Sequence, residues 1–146
     1  MKFVVLVVAF AAGVFMCSDG VIAQGNLEKK ISVEAVQGAD TIDTDKAFEL
    51  FEGAANFLDV RSVAMFNKGR VPGAVNLFYK DKEVFNEADV NAAFADKAVP
   101  VIVYCGGLYC PLSAPAVTEL MEWGYGEVYY YREGLPAWEK AGLPVE

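Results

Sequence analysis

The chain has 146 residues, of which 55% are hydrophobic, and a formal net charge of −8 at pH 7. Its length suits one domain, and its composition is that of a folded protein. The acidic balance argues against nucleic acid and anionic membranes as partners, because Lys and Arg hold both. The chain contains no histidine, which excludes Ser-His-Asp and Cys-His hydrolases, His-ligated metal sites and histidine proton shuttles.

The first 23 residues have the pattern of an export signal. Lys2 supplies a short positively charged start, and Phe3–Met16 is an almost unbroken apolar run. Val21–Ala23 then offers small or moderate side chains where a signal peptidase cleaves. We therefore predict a signal peptide at residues 1–23, a mature domain at residues 24–146, and a periplasmic or secreted location.

Membrane attachment is the less favoured outcome for this leader. The apolar run is shorter than the roughly 20 residues that a membrane-spanning helix needs, so no stable anchor is expected after cleavage. Processing as a lipoprotein at Cys17 is the alternative, but Phe15 and Met16 are bulky where small residues are expected. Simple cleavage removes Cys17 and leaves two cysteines, Cys105 and Cys110.

The mature chain alternates apolar runs with amphipathic segments. Thr44, Asn86 and Ser113 are the predicted helix N-caps. This alternation predicts an α/β fold with a mainly parallel sheet in one domain. In chain order, the predicted elements are a strand at Ile31–Val36, a helix at Thr44–Glu52, a strand at Asn56–Val60, helical turns at Ser62–Lys68, a strand at Ala74–Phe78, a helix at Asn86–Lys97, a strand at Val99–Tyr104, a helix at Ser113–Trp123, a strand at Glu127–Arg132 and a helix at Pro136–Ala141.

Cys105 lies where parallel α/β sheets bind ligands, beyond the carboxyl end of a strand. Gly106 and Gly107 follow it and let the backbone turn and approach a ligand closely. Successive N–H groups, followed by the helix predicted at Ser113, form a positive cradle that favours a thiolate. The alternative is a buried cysteine that simply ends a core strand.

Four segments of the mature chain carry motifs in a recognisable order. Phe57–Arg61 is a strand that ends in Asp-Val-Arg, and Gly69–Asn76 contains a Val-Pro-Gly-Ala turn. Val101–Cys105 is a strand that delivers a cysteine, and Gly124–Val145 contains Gly-Leu-Pro-Ala-Trp and Gly-Leu-Pro-Val. In order and spacing, from about Ile31 to the C terminus, these segments resemble the rhodanese family.

The resemblance implies a three-layer α/β/α fold and a sulfurtransferase activity. Cys105 would take sulfane sulfur from polysulfide or thiosulfate, hold it as a persulfide, and pass it to a thiol or cyanide. The expected partners are therefore small sulfur-containing anions and thiol acceptors, and no cofactor or metal is implied. The loop residues that would hold the anionic sulfur are Gly106, Gly107, Leu108, Tyr109, Cys110 and Ser113.

The loop departs from the family pattern in its charge. Cys110 stands five positions after Cys105, where rhodanese loops often carry Arg or another polar residue, and no Lys or Arg lies between Ala98 and Tyr131. This disfavours thiosulfate, a doubly charged donor. Arg61 and Arg70 are candidate substrate-binding cations from elsewhere, although a structural or surface role is favoured over a direct one for each. Arg61 follows a strand and is expected to be free of its usual partner, because Met65 stands where the family has Glu.

Cys110 leaves several hypotheses open. It could be a resolving thiol that attacks a Cys105 persulfide, it could pack inward and never meet Cys105, or the two cysteines could form a structural disulfide. The competing functions are a thiol–disulfide protein that uses both cysteines and a non-catalytic rhodanese-like binding module. A zinc site is disfavoured, since two cysteines without histidine leave the coordination shell short.

Overall fold

The computed structural model describes residues 31–146. The predicted signal peptide, its cleavage site and Cys17 lie outside the described residues. The strands are β1 (Asp40–Thr41), β2 (Asn56–Asp59), β3 (Val75–Asn76), β4 (Val101–Tyr104) and β5 (Val128–Tyr131). The helices are α1 (Thr44–Glu52), α2 (Val63–Phe66), α3 (Glu87–Ala93), α4 (Ser113–Glu122) and α5 (Gly134–Lys140).

The five strands form one sheet in the order β1-β5-β4-β2-β3, and every neighbouring pair is parallel. Strand β4 lies in the middle, and all four of its residues are fully buried. A run of Val, Ile and Tyr suits this position, because a central parallel strand is covered on both faces. All carboxyl ends therefore meet at one edge of the sheet, and the end of β4 is at its centre.

Helices cover both faces of the sheet and divide the core in two. Alternate residues of β4 point to opposite faces, with Val101 and Val103 on one side and Ile102 and Tyr104 on the other. The first side packs against α3 and α4, and the second packs against α1 and α5. The predicted three-layer α/β/α fold is confirmed, with a sheet that is wholly parallel.

The first strand differs from its prediction. Strand β1 is Asp40–Thr41, whereas the predicted strand at residues 31–36 forms no ladder. Ile31 and Val33 are 54% and 55% exposed, so this apolar run is not a buried strand. The ladder forms instead in the residues that lead directly into α1, where Ile42 N–H donates to the Tyr130 carbonyl at 3.0 Å.

Two helix starts also differ from their predictions. Asp43, not Thr44, caps α1, because its carboxylate accepts a hydrogen bond from Lys46 N–H at 2.9 Å. The Thr44 hydroxyl is 2.8 Å from the Tyr131 hydroxyl instead. Ser113 is the first residue of α4 and follows the cap position, Leu112, which makes no side-chain capping bond. The predicted cap of α3 at Asn86 is confirmed, since its side chain accepts from the third residue of the helix.

Helices α3 and α4 end earlier than predicted, α3 at Ala93 rather than Lys97 and α4 at Glu122 rather than Trp123. After α3, Asp96 redirects the chain, because its side chain accepts a hydrogen bond from Ala98 N–H at 3.0 Å and its carbonyl accepts one from Val99 N–H. Over the part of the chain that the structure describes, no helix has the length and apolar character that crossing a membrane requires.

Candidate active site

Cys105 follows β4 directly, at the centre of the carboxyl edge of the sheet. It opens residues 105–112, named here the cysteine loop, which joins β4 to α4. The Cys105 residue is only 1% exposed and belongs to the core on the α3–α4 side of the sheet. Its backbone carbonyl accepts a hydrogen bond from Leu135 N–H at 3.2 Å.

Gly134 allows this close approach between the cysteine loop and α5. A Cβ added at Gly134 would lie 2.3 Å from the Cys105 carbonyl oxygen and 3.0 Å from the Gly107 nitrogen. Gly134 also has φ +60°, a conformation that side chains rarely adopt. The first turn of α5 therefore holds the backbone of the cysteine in place.

The cysteine loop presents unused backbone donors beside Cys105. Gly106, Gly107 and Leu108 have N–H groups that donate to no backbone carbonyl within residues 31–146. The N-terminus of α4 closes the loop without a side-chain cap, so the first amides of this ten-residue helix also remain available. Such donors attract an anionic sulfur and favour a thiolate next to them.

The two cysteines of the loop are bonded to each other in a disulfide, with their Cα atoms 6.0 Å apart. The hypothesis that Cys110 packs inward and never meets Cys105 is therefore wrong. The two residues differ in access, since Cys110 is partly exposed whereas Cys105 is buried. A crosslink over so short a loop stabilises a fold by about 2 kcal/mol at most in the chain-entropy model.

The other predicted loop residues divide between rim and interior. Leu108 and Tyr109 are 40% and 51% exposed and form an apolar rim. The Leu108 carbonyl accepts a hydrogen bond from Ser32 N–H at 2.7 Å, which ties the loop to the segment before β1. Ser113 is 1% exposed, so the structure places its side chain inside rather than at the rim.

Positive charge reaches the cysteine loop from other elements. Lys80 lines a cavity of about 290 Å³ together with Gly106, Tyr109 and Cys110. Lys140, at the end of α5, lines a second cavity that Gly106 and Tyr109 also border. Sequence reasoning missed these lysines, because it searched only the stretch around Cys105. The loop lacks cations of its own, but two lysines from other elements line cavities beside it, Lys140 together with Glu133.

Arg61 lies at the same edge of the sheet but is not free. Its guanidinium donates to both carboxylate oxygens of Asp59, at 2.5 to 3.0 Å, and to the Gly69 carbonyl at 2.7 Å. Burial works to lower the pKa of Arg61, but the hydrogen bonds and charge of Asp59 outweigh it and raise that pKa. The structural role favoured for Arg61 agrees with these bonds, and only the expectation that Arg61 lacks a partner is wrong, because Asp59, two residues earlier, replaces the partner missing at Met65.

Arg61 nevertheless borders the cysteine loop. A Cβ added at Gly106 would lie 3.9 Å from Arg61 Cδ, and both residues line a cavity with Lys68 and Glu139. Its side chain packs beside Tyr104, with the guanidinium carbon 5.7 Å from the ring centre. Arg61 therefore supports the wall of the site while its charge is held by Asp59.

Arg70 is engaged away from the cysteine loop. Its Nε donates to a carboxylate oxygen of Glu146 at 2.9 Å, and its guanidinium carbon lies 4.5 Å from the centre of the Phe66 ring. The backbones of Arg70 and Glu146 also exchange two hydrogen bonds of 3.1 Å. Arg70 thus fastens the last residue of the chain to the turn after α2, and the structure does not bring it to Cys105.

No group of three or more Cys, Asp or Glu side chains arranged to hold a metal ion occurs within residues 31–146. The chemistry that the described site offers is that of a thiol pair. One sulfur, on Cys105, is buried among backbone donors, and the other, on Cys110, is within reach of solvent. Reduction of their disulfide would release a cysteine nucleophile.

Comparisons with known proteins agree with this architecture. A family model described as a rhodanese-like domain matches residues 43–141. The thiosulfate sulfurtransferase GlpE of Actinobacillus succinogenes is 32% identical over 107 residues, which cover 72% of this chain and 88% of that protein. An HTH-type transcriptional regulator of Mycobacterium tuberculosis is 31% identical over 94 residues, which are 64% of this chain but only 38% of the regulator.

A solved structure shows the same fold. The solution structure of a rhodanese-like domain from Anabaena sp. is 27% identical and superposes with a TM-score of 0.59. That match covers 73% of this chain and 77% of the other. The overall fold of this chain thus belongs to a known architecture.

Proposed function

Because the chain belongs to the rhodanese-like domain family, we propose that it is a sulfurtransferase that carries sulfane sulfur as a persulfide on Cys105. One observation carries the proposal. Cys105 follows the central strand of the parallel sheet and opens a loop in which the N–H groups of Gly106, Gly107 and Leu108 donate to no backbone carbonyl of the described residues. A sulfur at that point has the electrostatic support of a nucleophile without any base.

The proposed reaction has two half-reactions. The Cys105 thiolate attacks the outer sulfur of a polysulfide or thiosulfate, the sulfur–sulfur bond of the donor breaks, and a shorter polysulfide or sulfite leaves. The outer sulfur of the resulting persulfide is then attacked by a thiol or cyanide, and the Cys105 thiolate is released. Gly106, Gly107 and Leu108 would donate their N–H groups to the anionic sulfur. Neither half-reaction requires a histidine.

The disulfide defines the resting state of the proposed enzyme. While Cys105 is bonded to Cys110, it has no thiolate and cannot attack a donor. Reduction must therefore precede the first turnover. We expect the untreated protein to be inactive until a dithiol is added, and the Cys110→Ser variant to need no such activation.

Lys80 and Lys140, which line cavities beside the cysteine loop, support the use of anionic donors, both polysulfide and thiosulfate. Lys80 lines the same cavity as Cys110 and makes no ion pair within the described chain, so its charge is available to a ligand. The sequence argument against thiosulfate depended on a loop without cations. Polysulfide and thiosulfate are therefore both proposed as donors, to be compared directly.

A sulfurtransferase assay with the two donors in parallel tests the proposal. The pre-reduced protein should transfer sulfur to cyanide or a thiol, and Cys105→Ser should abolish the transfer. Cys110→Ser is the matched control, since it removes a thiol from the same loop but leaves the nucleophile. Equal activity in Cys105→Ser and the unaltered protein would overturn the proposal.

A thiol–disulfide protein is the second candidate, and the Cys105–Cys110 bond is the observation that favours it. Its hallmark would be disulfide exchange with protein thiols and no persulfide on Cys105 after exposure to polysulfide. Mass spectrometry of the reduced and polysulfide-treated protein distinguishes the two functions. A non-catalytic binding module would show neither persulfide nor exchange.

We also propose that the protein is exported. The disulfide supports this location, because such bonds persist in oxidising compartments and are rare in the cytosol. Cell fractionation, with N-terminal sequencing of the mature protein, tests the location together with the predicted cleavage after Ala23. A full-length chain in the cytosol would contradict it.

A further inference from the structure

The cysteine loop holds a thiol beside the sulfur carrier that simple sulfur transfer does not use. Cys110 is bonded to Cys105, although a crosslink over five positions stabilises a fold by only about 2 kcal/mol, the low end for disulfides. Transfer to an external acceptor requires only Cys105. The placement of Cys110 therefore calls for a chemical explanation.

We propose that the cysteine loop also releases the carried sulfur reductively, as hydrosulfide, and that Cys110 is the residue through which reducing equivalents enter. The substrate of this activity is the sulfane sulfur on Cys105, and the reductant is a dithiol. The inference rests on the proposed function, because it begins from a Cys105 persulfide. It adds a second product, sulfide, and a second co-substrate.

The release step is balanced by the two cysteines alone. The Cys110 thiolate attacks Sγ of the Cys105 persulfide, and a bond forms between the two cysteine sulfurs. The bond from Cys105 to the outer sulfur breaks, and its electron pair leaves with that sulfur as hydrosulfide. The sulfane sulfur gains two electrons, and the two cysteines become the disulfide that the structure contains.

The loop geometry supports attack by Cys110 on Cys105 rather than on a distant sulfur. Cys110 N–H donates to the Gly107 carbonyl at 2.9 Å, and this turn directs the chain back toward the start of the loop. Gly107 has φ +93°, which permits the turn. The Cys105 carbonyl is held by α5. The fold thus holds Cys105 in place and brings the Cys110 thiol next to it, as the attack requires.

The difference in exposure between the two cysteines determines which sulfur of their disulfide a reductant attacks first. Cys105 is 1% exposed, whereas Cys110 is partly exposed and lines the cavity that Lys80 and Met65 border. An incoming thiolate therefore reaches Cys110 Sγ first. Its attack expels Cys105 as a thiolate next to the unused N–H groups, and the second thiol of the reductant then resolves the mixed disulfide.

A single-turnover experiment tests the release step. The pre-reduced protein and Cys110→Ser are each loaded with polysulfide, freed of excess donor, and kept without reductant. We expect the unaltered protein to release about one equivalent of sulfide per chain and to form the disulfide. Cys110→Ser should retain its persulfide, and this loading shows that its site is intact.

The outcomes separate the inference from the proposed function. If neither protein acquires a persulfide on Cys105, the proposed function fails. If both acquire it and hold it equally long without sulfide or disulfide, the proposed function stands and the reductive release is wrong. Sulfide release at the same rate from Cys110→Ser would also contradict the inference.

A separate experiment tests which sulfur of the disulfide the reductant attacks first. The oxidised protein is treated briefly with glutathione, a monothiol, and free thiols are then alkylated. Fragment-ion mapping of the peptide that contains both cysteines should place the glutathione on Cys110 and the alkyl group on Cys105. The reverse assignment would overturn entry through Cys110.

Discussion

At the scale of single residues, Cys105 is held both by its own loop and by the backbone of α5, a distant element of the chain. Its carbonyl is held by Leu135 N–H, and its sulfur is bonded to Cys110. Gly134 makes the first contact possible because it lacks a side chain where the Cys105 carbonyl passes. The position of Cys105, the proposed nucleophile, thus depends on the start of α5 as well as on the cysteine loop.

Gly134→Ala should therefore destabilise the fold and impair the site. The added Cβ would collide with the Cys105 carbonyl oxygen in a backbone already at φ +60°. We expect the free energy of unfolding in urea to fall by about 2–5 kcal/mol, with a loss of sulfur transfer in the protein that still folds. Gly142→Ala is the matched control, since Gly142 has φ +72° but nothing lies within 4 Å of its added Cβ. This variant should lose only the free energy that a side chain costs at positive φ, about 1–2 kcal/mol. Equal losses for the two variants would contradict the argument from the close contact.

Lys80→Gln should weaken the binding of an anionic donor. Lys80 is exposed and lines the cavity beside Cys110, so its charge acts through solvent. We expect KM for thiosulfate to rise about two- to fivefold, with kcat little changed, and the difference to shrink as salt is added. Lys46→Gln is the control, because it removes the same charge from the exposed pair with Glu49 on α1. An unchanged KM in Lys80→Gln at low salt would remove Lys80 from the site.

Asp59→Asn tests whether Arg61 is a structural cation. Both side chains are buried and bonded to each other, so neutralising Asp59 leaves a buried guanidinium without its counter-charge. Losing one partner of a buried ion pair costs about 3–5 kcal/mol of unfolding free energy. Glu49→Gln, in the exposed pair with Lys46, should cost under about 1 kcal/mol. A similarly small loss for Asp59→Asn in urea unfolding would show that Arg61 does not need this partner.

At the scale of elements, helix α1 joins the sheet through aromatic packing and a cap. Phe51 meets the rings of Phe57 and Trp138 edge-on, with centroids 6.0 and 5.4 Å apart. Trp138, on α5, is fully buried, and its indole N–H donates to the Pro144 carbonyl at 2.7 Å. These contacts hold α1 and α5 side by side on one face of the sheet. They also position the start of α5 against Cys105.

Asp43→Ala should lower stability through the loss of the α1 cap. The Asp43 carboxylate accepts the Lys46 N–H, one of the donors that the first turn of a helix leaves unpaired. We expect a loss of about 0.5–2 kcal/mol in urea unfolding. Asp45→Ala removes the same charge from the first turn of α1 without removing a cap, and it should cost less, about 0.3–1 kcal/mol. A larger loss from Asp45→Ala would assign the effect to charge alone.

At the scale of the whole molecule, the parallel sheet brings together groups that are distant in sequence. Strand β4 lies between β2 and β5, so the loops after these strands meet around the cysteine loop. Tyr104 and Tyr131, the last residues of β4 and β5, are buried near this edge. Their pKa values are raised, chiefly because burial disfavours the tyrosinate.

The buried tyrosines predict a loss of stability at alkaline pH. Burial first, and the nearby acids next, raise the pKa of Tyr131 to about 12 despite its hydrogen bond with Thr44. Unfolded tyrosine loses its proton near pH 10, so between about pH 10 and 12 the unfolded chain binds fewer protons than the folded one. The free energy of unfolding therefore falls as pH rises, by up to about 1.4 kcal/mol per pH unit for each such group.

Tyr131→Phe checks this prediction with the disulfide kept intact. The variant should be less stable at neutral pH by about 1 kcal/mol, because it loses the hydrogen bond with Thr44. Its stability should then fall less steeply above pH 10 than that of the unaltered protein, as followed by urea unfolding at a series of pH values. Parallel curves for the two proteins would contradict a raised pKa at Tyr131.

Local sequence patterns were sufficient for most of the elements and for the position of the cysteine. The apolar run before Cys105 predicted a strand, and the glycines after it predicted a loop at a ligand-binding edge, because burial and turn geometry act on neighbouring residues. The first strand was predicted wrongly, since Ile31 and Val33 have the side chains of a strand but no partner strand. Pairing depends on β5, about 90 positions further along the chain.

For Cys105 itself, the sequence alone determined the family resemblance of the chain around it, its place directly after a strand and the absence of a histidine base. Only the tertiary structure decided what surrounds it. Its surroundings come from separate elements: Lys80 and Lys140, the contact with Gly134, and the Asp59–Arg61 pair. The packing of helices on a parallel sheet brings those elements to one edge. Even the bond to Cys110, only five positions away, required the fold, because the turn at Gly107 directs one thiol back onto the other.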